Sequence, residues 1–74
     1  MIQHRWENSE NLRYYRIFFA RDLFGEWVIT KIWGGLKHAG GGMKNIPCTS
    51  YDDGLKLIEK VNETRLKRGY RKIV

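Results

Sequence analysis

This chain of 74 residues has a single cysteine and a single proline. With Cys48 alone, no intramolecular disulfide can staple the fold, and the composition fits a reducing compartment. No run approaches the ~20 apolar residues that a membrane span requires. The opening Met1-Ile2-Gln3-His4-Arg5-Trp6-Glu7 has no apolar core behind its charge and does not read as a signal peptide. The two histidines, His4 and His38, and Cys48 stand at spacings unrelated to those of a zinc site. Nothing links them as nucleophile and base, and Cys48 follows Pro47 instead of opening a helix that would activate it. Asp52-Asp53 sit adjacent at a predicted helix start, where capping accounts for both. These shortages point away from an enzyme. No cofactor, no metal, no membrane partner and no small-molecule substrate are expected, and the expected address is the cytoplasm.

Acids are scarce in one half only. Residues 1–30 balance Arg5, Arg13, Arg16 and Arg21 against Glu7, Glu10, Asp22 and Glu26. The whole excess of +6 therefore lies in residues 31–74, and Lys60 to Lys72 sets six bases against Glu63. A localised basic excess suits a polyanionic partner, of which nucleic acid is the commonest; it also suits a plain solvated surface. Three Trp, four Tyr and three Phe are generous for one small domain, so part of the aromatic surface is expected to face solvent.

Length allows one domain, residues 1–74, and hydrophobic periodicity gives it an α+β organisation. From Arg13 to Arg21, Tyr15, Ile17 and Phe19 alternate with Tyr14, Arg16, Phe18 and Ala20, a two-sided strand pattern. Asp22 to Glu26 with Gly25 suits a hairpin loop, and Glu26 to Trp33 reads as the second strand, with Trp27, Ile29, Lys31 and Trp33 on one face. Met43 to Cys48 is a third strand, with Pro47 at an edge or end because it lacks a ladder donor. Residues 1–12 show no clear period, although Trp6 could pin an edge strand. Ser50 caps a predicted helix from about Tyr51 to Arg68, with Asp52 and Asp53 in the first turn and Gly69 as the stop. Tyr51, Leu55, Ile58, Val61 and Asn62 form its sheet-facing stripe, and Gly54 on that stripe implies a close approach. The expected fold is an antiparallel sheet of three or four strands with one helix across one face.

The least ordinary segment is Trp33-Gly34-Gly35 followed by Leu36-Lys37-His38-Ala39-Gly40-Gly41-Gly42. It lacks the spacing of a phosphate-binding P-loop and opens no helix, so nucleotide hydrolysis is not supported. Two readings remain for it: a flexible hairpin, or a backbone that approaches a ligand closely beside a large flat ring. With Asn11-Leu12-Arg13-Tyr14-Tyr15-Arg16-Ile17 and Asp22-Leu23-Phe24-Gly25-Glu26-Trp27 upstream and Lys67-Arg68-Gly69-Tyr70 downstream, the order resembles the WGR domain. That module, named for Trp-Gly-Arg, is best known as a DNA-break sensor in poly(ADP-ribose) polymerases and also occurs as short bacterial proteins. The likeness runs from about Leu12 to Tyr70. Gly35 stands where the family has Arg. The resemblance implies a DNA contact at Trp33, no such contact at Gly35, and a Tyr70 that folds back on the helix end.

Aromatic surface interleaved with cations is the composition of a nucleic-acid contact. Trp33, Lys31, Lys37, His38 and Lys44 are the candidate nucleic-acid-binding residues. The expected function is a non-enzymatic module that binds nucleic acid, DNA at ends or nicks. The alternative is a bacterial protein-interaction or adaptor domain, whose face of Tyr14, Phe18 and their neighbours docks another protein or pairs with itself. For the carboxyl-terminal cluster Arg65, Lys67, Arg68, Arg71 and Lys72, ordinary complementation of the helix dipole is the simpler reading.

Overall fold

The structure is a computed structural model that describes residues 1–38 and 40–74. Its elements in chain order are β1 (Ile2–Asn8), β2 (Arg13–Arg21), β3 (Trp27–Gly35), β4 (Gly41–Cys48), α1 (Tyr51–Lys67) and β5 (Arg71–Lys72). The strands form one antiparallel sheet in the order β4-β3-β2-β1-β5, and α1 lies across one face. The α+β class and the single covering helix are as the periodicity predicts.

The sheet has five strands, not three or four. Residues 2–8 hide their period because polar residues occupy both faces, yet β1 is an interior strand, flanked by β2 and β5. Trp6 is fully buried, with its indole Nε1 donating to the Asn62 side chain of α1 at 3.0 Å. Register sets the helix-side face: Trp6 is opposite Tyr15, Tyr15 opposite Trp33, Phe19 opposite Ile29, and Ile29 opposite Ile46. Trp6, Ile17, Phe19 and Ile29 form the solvent-free centre under Ile58 and Val61. Pro47 does lie on an edge strand, where its missing N–H breaks no interior ladder.

Helix α1 starts as the sequence signals. The Ser50 side chain accepts the Asp53 N–H at 3.1 Å, and Asp52 and Asp53 occupy the first turn. A β-carbon at Gly54 would collide with the edge of the Phe19 ring, so glycine here is the condition for helix and sheet to touch. At the other end Arg68 is the C-cap, Gly69 takes φ +86°, and Tyr70 folds back into the core at 8 % exposure. Of the predicted stripe, Ile58 and Val61 are buried, whereas Tyr51 and Leu55 keep 41 % and 36 % of their surface exposed.

The helix crosses the sheet obliquely. Its first residue, Tyr51, packs on Phe19 and Trp27 of β2 and β3, whereas Asn62 reaches Trp6 on β1. That course leaves one corner of the helix-side face open, where the last residues of β3 meet the first of β4.

The expected glycine loop is shorter than its composition implies. Gly34 and Gly35 belong to β3 and Gly41 and Gly42 to β4, with Gly34 paired to Gly41 and Trp33 to Gly42. Only residues 36–40 connect the strands, and Ala39 of that segment lies outside the described residues.

Candidate functional site

The uncovered corner is a groove of about 510 Å³, lined by Trp33, Lys31, Lys44, Tyr15, Arg13, Arg65, Arg68 and Tyr70, together with Asn11, Tyr14 and Gly34. Five of these residues are cations and none is an acid.

Trp33 is half-buried, its ring offset-parallel to Tyr15 at 6.3 Å between centroids and 18° between planes. Tyr15 in turn meets the buried Trp6 edge-on at 6.2 Å, so a row of rings runs from core to groove. The indole lies flat across Gly42, where a β-carbon would stand 2.5 Å from the six-membered ring. The glycine of β4 thus makes room for the tryptophan of β3, which explains the Trp-and-glycine composition.

Charge in the groove is crowded. Lys31 and Lys44 are direct cross-strand partners on one face, an arrangement that is unfavourable for like charges. Partial burial pulls the Lys31 ammonium below its ordinary 10.5, with Lys44 and Arg65 pushing the same way. Burial pushes the Tyr15 hydroxyl up, against the attraction of Arg65. Arg65 sits between two rings, its guanidinium carbon 4.4 Å from the Tyr15 centroid and 5.1 Å from that of Tyr70. Its Nε–H is buried without an acceptor among the described residues. An anion in the groove would relieve the repulsion around Lys31 and supply acceptors to this array of donors.

Asn8 fastens the walls. Buried at 4 % exposure, it donates from Nδ2 to the Arg68 carbonyl at 3.1 Å and accepts from the Glu10 and Asn11 N–H groups at 2.9 and 3.2 Å. One side chain therefore ties the helix end to the β1–β2 turn, and both border the groove. Leu12 in that turn takes φ +56°, unusual for a branched residue, and its carbonyl accepts the Leu36 N–H at 2.7 Å.

Of the five residues singled out from sequence, Trp33, Lys31 and Lys44 meet in the groove. Lys37 and His38 do not line it. Both are exposed in the β3–β4 connection, and His38 borders a neighbouring cavity with Arg13 and Gly35. Sequence reasoning missed Arg13 and Tyr15, and it read Arg65 and Arg68 as dipole partners. The alternation that puts Tyr15 on the face of Ile17 was visible; its meeting with Arg65 depends on helix docking.

His4 and Cys48 are separated by β2 and β3, and His38 lies in the turn at the far end of β4 from Cys48, so no Cys–His pair is assembled. Among the described residues no cluster of His, Cys, Asp and Glu could hold a metal ion, and no helix is long and apolar enough to cross a membrane.

The open face of the sheet is less bare than its residues suggest. Arg5 lies over the Tyr14 ring at 4.8 Å and Arg16 over Phe18 at 4.7 Å. The family models, the curated proteins and the solved structures give no match to this chain.

Proposed function

We propose that the chain is a non-enzymatic nucleic-acid-binding module that takes DNA, at ends or nicks, into the groove around Trp33. One observation carries the reading: a half-exposed indole, backed by Tyr15, stands among five cations with no acid beside them. Cations neutralise phosphates and a flat ring packs on sugar or base, and the two together make a sequence-tolerant contact. The resemblance of Trp33-Gly34-Gly35 to the WGR triplet supports the same assignment for Trp33. Gly35 supplies no cation, but Arg13 is its cross-strand partner and brings a guanidinium to the neighbouring position. The lone cysteine and the balance of charge fit a cytoplasmic setting.

The adaptor reading rested on Tyr14 and Phe18, and both rings carry an arginine, which leaves that face the weaker candidate. A titration separates the two. Binding of a nicked or blunt-ended duplex should weaken steeply with salt, with a log–log slope near −0.9 per phosphate neutralised. An interface of aromatic surface would be nearly indifferent to salt.

A further inference from the structure

The β2–β3 turn carries two apolar side chains that touch nothing. Leu23 is 99 % exposed and Phe24 90 %. The backbone beneath them is nevertheless fastened. Asp22 N–H donates to the Glu26 carbonyl at 2.8 Å, and Gly25 N–H donates to the Asp22 carbonyl at 3.1 Å. The Asp22 carboxylate accepts from the Phe24 and Glu26 N–H groups at 2.9 Å each. Turn geometry calls for Asp and Gly here, and it has no use for Leu and Phe. A pre-ordered apolar tip binds with little further loss of conformational freedom.

Charge narrows the occupant. The turn from Asp22 to Glu26 holds two acids, and the base beside it, Arg21, lies over the Trp27 ring. Asp52 and Asp53 belong to the same end, because Tyr51 beside them packs on Trp27, so acids outnumber bases there. Acids around an apolar tip are repelled by an anionic bilayer and by a duplex. They fit a protein pocket with aromatic walls and a basic rim. The other end of this molecule presents those features: a groove of about 510 Å³ with Trp33, Tyr15, Tyr70 and five cations.

We infer that the Leu23–Phe24 turn of one copy docks into the groove of a second copy, head to tail. Arg21 pairs with Trp27 at one end of the β2–β3 ladder and Arg13 with Gly35 at the other. Tip and groove are thus roughly 26 Å apart at about 3.3 Å per residue. A copy cannot fill its own groove, and a docked pair still offers a free tip at one end and a free groove at the other. The contact is heterologous and grows into open chains. The net charge of +6 opposes other pairings of copies, whereas this one sets the acidic end against the basic end. The contact shares its cations with the proposed nucleic-acid site but does not depend on that reading.

Sedimentation equilibrium on the full chain at low salt tests it. The weight-average mass should climb from 8.8 kDa to several times that value between micromolar and millimolar protein, and fall back in high salt. The paired variant Leu23→Ser, Phe24→Ser loses the tip, and Lys44→Glu spoils the groove. Each alone should remain monomeric, with circular dichroism verifying its fold. Mixed in equal amounts, the two should form a species of twice the monomer mass and nothing larger, since only one tip–groove contact remains. A wild type that stays monomeric at millimolar concentration overturns the inference. So does a tip variant that associates like wild type, or a mixture that stays monomeric or grows beyond two copies. These measurements contain no nucleic acid, so their failure is distinct from failure of the nucleic-acid reading.

Discussion

Trp27 and Trp33 lie on the same strand and the same face, and both are part-buried. Only Trp27 packs against the core, with Arg21 over its ring at 5.0 Å. Trp27 is packed with Phe19 and Tyr51, each at 5.0 Å between centroids, where the helix begins. Trp33 lies beyond the cover of the helix, over Gly42, among Lys31, Lys44 and Arg65. The strand pattern makes the two equivalent; the oblique course of α1 makes them different. A helix of 17 residues can close only part of this sheet, and the corner it leaves is where cations and rings collect. On the proposed function, the division between stability and binding follows helix placement and not residue type.

The largest effects should appear at the covered end. Phe19→Ala removes the ring that seats Gly54 and packs on Trp27, and should cost about 3–5 kcal/mol in a denaturant melt, enough to unfold much of so small a domain. Trp33→Ala should cost clearly less in the same melt and leave the domain folded. It should instead weaken a nicked or blunt duplex by roughly 1–3 kcal/mol in an anisotropy titration, the range for an aromatic nucleic-acid contact. Equal destabilisation by the two variants would erase the distinction between the ends.

How far this was legible in the sequence depends on what each element's identity rests on. Strands β2 and β3 and helix α1 announce themselves through alternation, the Ser50 cap and Gly69. The interior strand β1 does not, because His4, Trp6 and Asn8 alternate with Gln3, Arg5 and Glu7 and neither set is uniformly apolar. The glycines read as a loop because local composition cannot register that Trp33 lies across Gly42 on the next strand. That Trp33, Lys31 and Lys44 meet in one groove was legible, since they lie on adjacent strands. Arg65 and Arg68 were not, since a helix end rich in cations looks the same whether or not it faces a groove. Lys37 and His38 were drawn in by sequence proximity, and the turn carries them away.

Smaller effects should sharpen the contrast from within the groove. Gly35 does not take a left-handed φ, and a β-carbon there would meet both the ring and the backbone oxygen of His38 at 3.4 Å, an ordinary contact distance, so Gly35→Arg can be accommodated. It should fold normally, tighten duplex binding and steepen the salt slope by about 0.9, one added phosphate contact. Lys31→Met should act in opposite senses on fold and function. Removing a crowded, partly desolvated ammonium should stabilise the unliganded protein by about 0.5–1 kcal/mol in thermal melts while weakening binding.

Lys31 also sets a pH dependence. Its ammonium is held below 10.5 in the free protein, and a phosphate beside it favours the charged form and raises that value. Affinity should therefore be level through neutral pH and fall as pH rises through the lowered value, before 10.5 is reached. In Lys31→Arg the decline should vanish from that window, because a guanidinium stays charged there.

The most direct test of the central claim is the salt dependence of duplex binding, measured side by side for wild type and Trp33→Ala, with unfolding curves for both. The wild type should show clear low-salt affinity with a steep negative log–log slope. Trp33→Ala should stay folded, with weaker binding and nearly the same slope, since the ring contributes contact and not charge. A wild type with no affinity for any duplex at low salt, together with a Trp33→Ala protein that unfolds, would contradict the central claim and make Trp33 a core residue.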